Sequence, residues 1–251
     1  MTRYLSITLC VAALFSSPLA QASILLGGTR LVYHAERSEA TIAATNEGEQ
    51  PELIQVWIDD GDMNARPEQL DVPFTISPVM VRIEAGQGQS LRVRADAARL
   101  PSDRESVYYL NVLAVPRKSQ QEAADESVLQ LAMRSRIKLF YRPAKLPGAA
   151  MDSAAAVTWR LRLDAQGKPL LVGTNRTPFN VSYSKVSLSD GHQEYSQGLA
   201  ASGGGGMIPA FGSFEFPLGG LDHTPSGVLS VKALWINDFG GKVEQISPLS
   251  S

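Results

Sequence analysis

From residue 24 onward, apolar residues recur at every second position in short runs that end at Gly, Pro, Asn or Asp. A two-residue period puts alternate side chains on opposite faces of an extended chain, so the pattern predicts strands and turns. Strands are expected at residues 24–33, 39–46, 52–59, 79–83, 89–94, 106–115, 128–140, 157–164, 170–174, 180–187, 212–217 and 229–236. Almost no segment sustains a 3.6-residue period. The glycine run 203–206 and the polar stretch 117–127 read as loops, and Arg142-Pro143-Ala144-Lys145-Leu146-Pro147-Gly148 reads as a break between two sets of strands. About seven strands precede the break and about five or six follow it, each set close to what an immunoglobulin-like β-sandwich needs.

One strand stands apart. Between 128 and 138, Leu129, Leu131, Met133 and Ile137 fall on one face and Gln130, Ala132, Arg134, Arg136 and Lys138 on the other. Two readings remain open. The strand either lies with its apolar face on its own core, or it offers its edge and apolar side chains to another protein by strand addition. The polar lead-in 117–127 favours exposure of the first half, and the charges on the second face would blunt edge aggregation. The pattern does not say whether Arg134 faces a partner or solvent.

The N-terminus changes the picture. Arg3 precedes an apolar run over 5–15, and the stretch closes with Ala20-Gln21-Ala22, the form of a secretory signal peptide over residues 1–22. The run is too short to span a bilayer, and no later stretch approaches the roughly 20 apolar residues of a membrane helix. The sole cysteine, Cys10, falls inside that segment, which leaves the exported chain without disulfides, thiol catalysis or Cys-ligated zinc. Hydrophobic residues make up 44% and charged residues 19% of the 251 residues, which excludes disorder, collagen and a coiled coil. A net charge of −2 leaves attraction to nucleic acid or an anionic membrane without its main physical support.

Enzymatic constellations are missing from the sequence. His34, His192 and His223 are scattered without HxH or HExxH spacing, there is no GxSxG elbow, and the glycine run lacks the Lys-Ser/Thr of a phosphate loop. Trp57, Trp159 and Trp235 could stack sugars, but each lies in a β-patterned run, which favours packing. No cofactor and no metal are expected.

Five runs then carry a family resemblance. Thr29-Arg30-Leu31-Val32-Tyr33, and Val81-Arg82-Ile83-Glu84-Ala85-Gly86 followed by Leu91-Arg92-Val93, resemble the first domain of the PapD-like periplasmic pilus chaperones. Asp103-Arg104-Glu105-Ser106-Val107-Tyr108-Tyr109-Leu110-Asn111 resembles the run into the family's sixth strand, and Ile137-Lys138-Leu139-Phe140-Tyr141-Arg142-Pro143 the end of its seventh. Ile236-Asn237-Asp238-Phe239-Gly240-Gly241 is similar to its second-domain signature. The runs appear in family order.

The resemblance implies an all-β chain of two immunoglobulin-like sandwiches set at an angle around a cleft, with a signal peptide at 1–22 and domains at 23–143 and 144–251. It implies a periplasmic chaperone that lends its seventh strand to pilus subunits and passes them to an outer-membrane usher. By the same resemblance, Arg30 and Lys138 bind the subunit's C-terminal carboxylate, Leu129, Leu131 and Met133 fill its groove, and Glu105, Arg142 and Asp238 fix the interdomain angle. The free protein could cap its donor strand with a second copy. Ala85-Gly86 and the single Pro78 depart from the family's turn, and the moderate 117–127 loop without Cys resembles the short-loop group. The runner-up function is a secreted structural or adhesive β-sandwich protein, a pilus subunit or a carbohydrate-binding module; an enzyme ranks third.

Overall fold

The computed structural model describes residues 24–115, 131–196, 206–219, 221, 225 and 227–250. The expected signal peptide, Leu129, the 117–127 loop and residues 203–205 lie outside them.

The first half contains β1 (Ile24–Leu26), β2 (Arg30–His34), β3 (Ala40–Asn46), β4 (Glu52–Asp59), β5 (Phe74–Ser77), β6 (Met80–Ile83), β7 (Gly88–Ala95), β8 (Ser106–Val115) and β9 (Met133–Arg142). They form a four-stranded sheet, β1-β3-β7-β5, and a five-stranded sheet, β2-β9-β8-β4-β6. Alternation builds the core between them. Ala40, Ile42 and Ala44 of β3 point inward, as do Ile54, Val56 and Ile58 of β4 and Leu110, Val112 and Ala114 of β8. Burying each large aliphatic side chain contributes about 1.5–3 kcal/mol.

The second half contains β10 (Thr158–Leu163), β11 (Pro169–Thr174), β12 (Val181–Ser189), β13 (Glu194–Tyr195), β14 (Gly206–Ile208), β15 (Ser213–Pro217), β16 (Ser230–Ile236) and β17 (Lys242–Pro248). The sheets are β10-β11-β15 and β13-β12-β16-β17, with β14 also on β12. Trp159 anchors a separate core, its ring 5.6 Å from that of Tyr183 and 5.5 Å from that of Phe216. Gly173 faces this indole, and a methyl group there would collide with Trp159 and Ile208. Trp235 also packs in this core, whereas Trp57 is half-buried on the outward face of the first domain.

Most expected strands are present within a residue or two, but the run expected at 128–140 is a strand only over Met133–Arg142, with residues 131–132 outside it, and the two-residue β13 was not expected; four further differences have physical reasons. The single strand expected at 24–33 is two, because the chain crosses from one sheet to the other at Gly27-Gly28. β5 was not expected: it is short and enclosed by Pro73 and the cis Ser77–Pro78 bond, so its alternation is hidden. β17 was missed because it is a mostly exposed edge strand whose apolar residues are sparse. Gly206, expected in a loop, begins β14 and is buried against β12.

Candidate functional site

β9 positions the site. Its pairing with β8 runs the whole way from Ala114↔Met133 to Ser106↔Tyr141. On the other edge, β2 pairs with it in parallel only from Arg30↔Lys138 to His34↔Arg142. The edge over Met133–Ile137 therefore has no strand partner among the described residues. Large apolar side chains stand exposed where this stretch begins: Leu131, just ahead of β9, at 69% and Met133 at 57% of full exposure. Further on, Leu139 and Tyr141 turn into the core. The same alternation thus serves both readings of the strand, the core in its second half and an open edge in its first.

Where β2 takes over the edge, the register sets two cations side by side. Arg30 and Lys138 line a cavity of about 380 Å³ together with Thr29, Tyr109, Arg136 and Ile236, the last from the second domain. Arg30 donates from Nη1 to the Ile236 carbonyl at 3.0 Å and lies 5.6 Å above the Phe140 ring, while its buried Nε has no partner. Lys138 makes no ion pair among the described residues. Burial, then repulsion from Arg30 and Arg136, pulls its ammonium below the usual lysine range. Burial likewise lowers Arg30, against the pull of Asp238 and Glu105. Two desolvated cations that make no ion pair among the described residues, with a free buried donor, are complementary to a carboxylate, which would restore the lost stabilisation of both.

The hinge lies at the C-terminal end of the same strand. Arg142 donates from Nε to Glu105 at 2.9 Å, and from Nη1 and Nη2 to Asp238 at 2.6 and 2.9 Å. Glu105 is only 4% exposed, and its other oxygen accepts from the backbone and side-chain amides of Asn180, both at 3.0 Å. Burial pushes the Glu105 carboxyl up, against the opposing pull of Arg142 and Asn180. Sequence reasoning brought Glu105, Arg142 and Asp238 together and missed the rest of the joint. The Glu105 amide donates to Pro178 at 2.8 Å, Arg142 sits 5.4 Å above Phe179, and Arg104 sits 5.2 Å above Phe211. The only sequence signal was the Thr177-Pro178-Phe179-Asn180 turn entering β12, which marks a loop and not its partner. Asp238 is presented by a tight β16–β17 turn in which Asn237 Oδ1 accepts from Phe239 and Gly241. Gly240 is required there, since its φ is 82° and a Cβ would lie 2.5 Å from Thr29 Oγ1.

Arg134 and Arg136 face outward, on the same side of the sheet as Lys138. Arg136 grips Asp59 with bonds of 2.9 and 2.6 Å and stacks 3.6 Å from the Tyr109 ring centre. Arg134 donates to Asn111 Oδ1 and to the Met63 carbonyl, and lies 4.9 Å above Trp57. Asp59 is wholly buried. Burial alone would raise its carboxyl, but hydrogen bonds from Arg136, Asn111 and Gly61 and the Arg136 charge hold it below the usual range.

Comparison with known proteins fits this geometry. Residues 23–147 match the family described as pili and flagellar-assembly chaperone, PapD N-terminal domain, and residues 152–247 match pili assembly chaperone PapD, C-terminal domain. The chain belongs to the PapD family of pili assembly chaperones. It is 39% identical to the chaperone protein FimB/FhaD of Bordetella pertussis, across 95% of this chain and 94% of that one. It is also 39% identical to the probable fimbrial chaperone YadV of Escherichia coli, across 89% and 88% of the two. The crystal structure of the YadV chaperone superposes with a TM-score of 0.75 at 34% identity, over 91% of this chain and all of that one. A SafB chaperone of Salmonella enterica, solved in complex with the SafA pilin, gives 0.72 at 25% identity, over 92% and 99%. The protein is therefore a pilus assembly chaperone and not an enzyme, and the adhesive or structural alternative is set aside.

Proposed function

We propose that this chaperone holds a newly exported pilus subunit in the periplasm by completing the subunit's sandwich with β9, and then yields it to an outer-membrane usher. The observation that carries the reading is the free edge of β9 ending at the unneutralised pair Arg30 and Lys138. β2 occupies the edge from Lys138 onward, so an incoming strand on the Met133–Ile137 edge ends where β2 begins. With its C-terminal carboxylate on Arg30 and Lys138, that strand runs parallel to β9 and collinear with β2. Leu131 and Met133, with Leu129 ahead of them, then enter the subunit's groove. Each contributes about 1.5–3 kcal/mol if fully buried there.

In the same reading Glu105, Arg142 and Asp238 hold the two sandwiches at the angle that keeps the cation pair accessible. Separate cores on either side of Pro143 support domains at 23–143 and 144–251, and the N-terminal sequence supports cleavage after residue 22. Release to an usher predicts that the complex accumulates in cells lacking that usher; unchanged complex levels would count against it. In the free protein the same exposed edge caps itself with a second copy, which predicts a dimer on gel filtration that dissociates on dilution; a monomer at all concentrations would contradict this.

Extending the subunit's C-terminus tests the anchor. Residues added after its last position carry the carboxylate away from Arg30 and Lys138, and the complex should be lost. An extended subunit recovered in undiminished yield would contradict the anchoring role.

A further inference from the structure

A strand donated by alternating side chains has an unresolved register. Sliding the incoming strand by one residue turns every side chain to the wrong face, but sliding it by two, about 6.6 Å, restores the facing pattern. Leu129, Leu131 and Met133 are spaced by two, so they tolerate such a slip. The cations of β9 repeat the ambiguity, since Arg134, Arg136 and Lys138 follow one another on the outward face opposite Leu113, Asn111 and Tyr109 of β8. A carboxylate could in principle stop at any of the three.

The structure removes the ambiguity from below. Asp59, fully buried on β4, takes two short bonds from Arg136 and lies 3.7 Å from Arg134. It is fixed in place by Asn111 Nδ2 at 2.7 Å and the Gly61 amide at 2.8 Å. Arg134 is further tied to Asn111, Trp57 and the Met63 carbonyl, and Arg136 to the Tyr109 ring, so both guanidinium groups are already engaged on the protein itself. Lys138 and Arg30, by contrast, have no acidic partner within ion-pair distance among the described residues, and Arg30 Nε is an orphan.

We infer that Asp59 is a register-setting residue for the bound strand: by pairing with Arg136, while Arg134 is held on Asn111 and the Met63 carbonyl, it leaves Lys138 with Arg30 as the anion site along a stripe of equally spaced cations. The inference rests on the strand-donation reading and adds a positioning residue that never touches the subunit. It predicts a rescue that a merely structural role for Asp59 would not give. Freed from Asp59, Arg136 becomes an alternative anchor two residues back along β9.

The experiment uses the full-length chaperone, exported to its own periplasm together with the subunit that copurifies with the wild type, and reads one-to-one complex by native mass spectrometry. Lys138→Ala should lower recovery by about 10- to 100-fold, the worth of hydrogen bonds to a charged group. Lys138→Ala with Asp59→Asn should regain about 10-fold over Lys138→Ala alone. Adding Arg136→Gln should abolish that gain. If Lys138→Ala keeps its subunit, the anchoring reading itself falls. If it loses the subunit and Asp59→Asn brings no gain, or the gain survives Arg136→Gln, only the register role is overturned. Thr29→Asp guards against a misfolded Asp59 variant, because Thr29 is exposed and lines the cavity beside both free cations. A carboxylate there should silence them as Asp59 silences Arg136 and remove the complex from a folded protein; retained complex would overturn the anchoring reading and with it the register role that rests on it.

Discussion

Arg142→Ala removes the cation that hydrogen-bonds both Glu105 and Asp238. Asp238 can return to water, but Glu105 cannot while the domains stay docked, for it is only 4% exposed and keeps just its bonds from Asn180. Leaving one partner of a buried pair uncompensated costs about 3–5 kcal/mol. The separate cores do not depend on this residue, so the chain can avoid the cost by undocking, and the loss should appear as opening rather than unfolding. Small-angle X-ray scattering should show a larger radius of gyration, and urea melts should split into two transitions of similar midpoint to each sandwich alone. The sign of the pH dependence follows from Glu105, whose carboxyl burial already pushes upward. Without Arg142 it rises further, so protonation on lowering the pH relieves the variant and narrows its gap from wild type. Arg142→Ala with Glu105→Gln should recover part of the docking at neutral pH. Unchanged scattering together with a single unshifted melt would refute the hinge.

Other tests bear on separate parts of the account. Met133→Asp should leave the thermal midpoint unchanged, since the side chain is 57% exposed, yet lower complex recovery by the worth of a buried Met, about 2 kcal/mol. A variant that binds normally would remove Met133 from the donor role. In the second domain, Lys185 and Lys232 at 2.8 and 3.0 Å hold the Glu194 carboxyl down to about 2. A depressed carboxyl stabilises the fold above its unfolded value and loses that contribution as pH falls through the folded one. Acid titration should therefore show Glu194→Gln less stable by at most about 1 kcal/mol at neutral pH, the worth of a partly exposed pair, and converging with wild type toward pH 2. A gap that persists at that pH would contradict the assignment.

Much of the architecture is legible because strands announce themselves by period. β8 was located to the residue, and the break after Arg142 separates the two cores. What periodicity does not convey is which sheet a strand enters, and so the 24–33 run concealed a crossing at two glycines. The paired cations and hinge charges were identified through flanking motifs, not spacing, since an isolated Arg or Lys at a strand end is usually solvated. Arg134 remained ambiguous, and the partner of Arg136 unseen, because an outward polar position looks the same whether it meets water or a buried carboxylate. Their partners, Asp59 and Asn111, lie on β4 and β8, and only the register Trp57↔Asn111↔Arg136 brings them together. Asn180 and Phe179 were missed for a similar reason, as they reach the hinge from the other domain.

The most direct test of strand donation is native mass spectrometry of the tagged chaperone isolated from its own periplasm, with Lys138→Ala handled identically. The account predicts a one-to-one adduct with a small secreted β-protein in the wild type, lost or much reduced in the variant. No adduct in the wild type under conditions that express the pili, or an adduct untouched by the substitution, would contradict it.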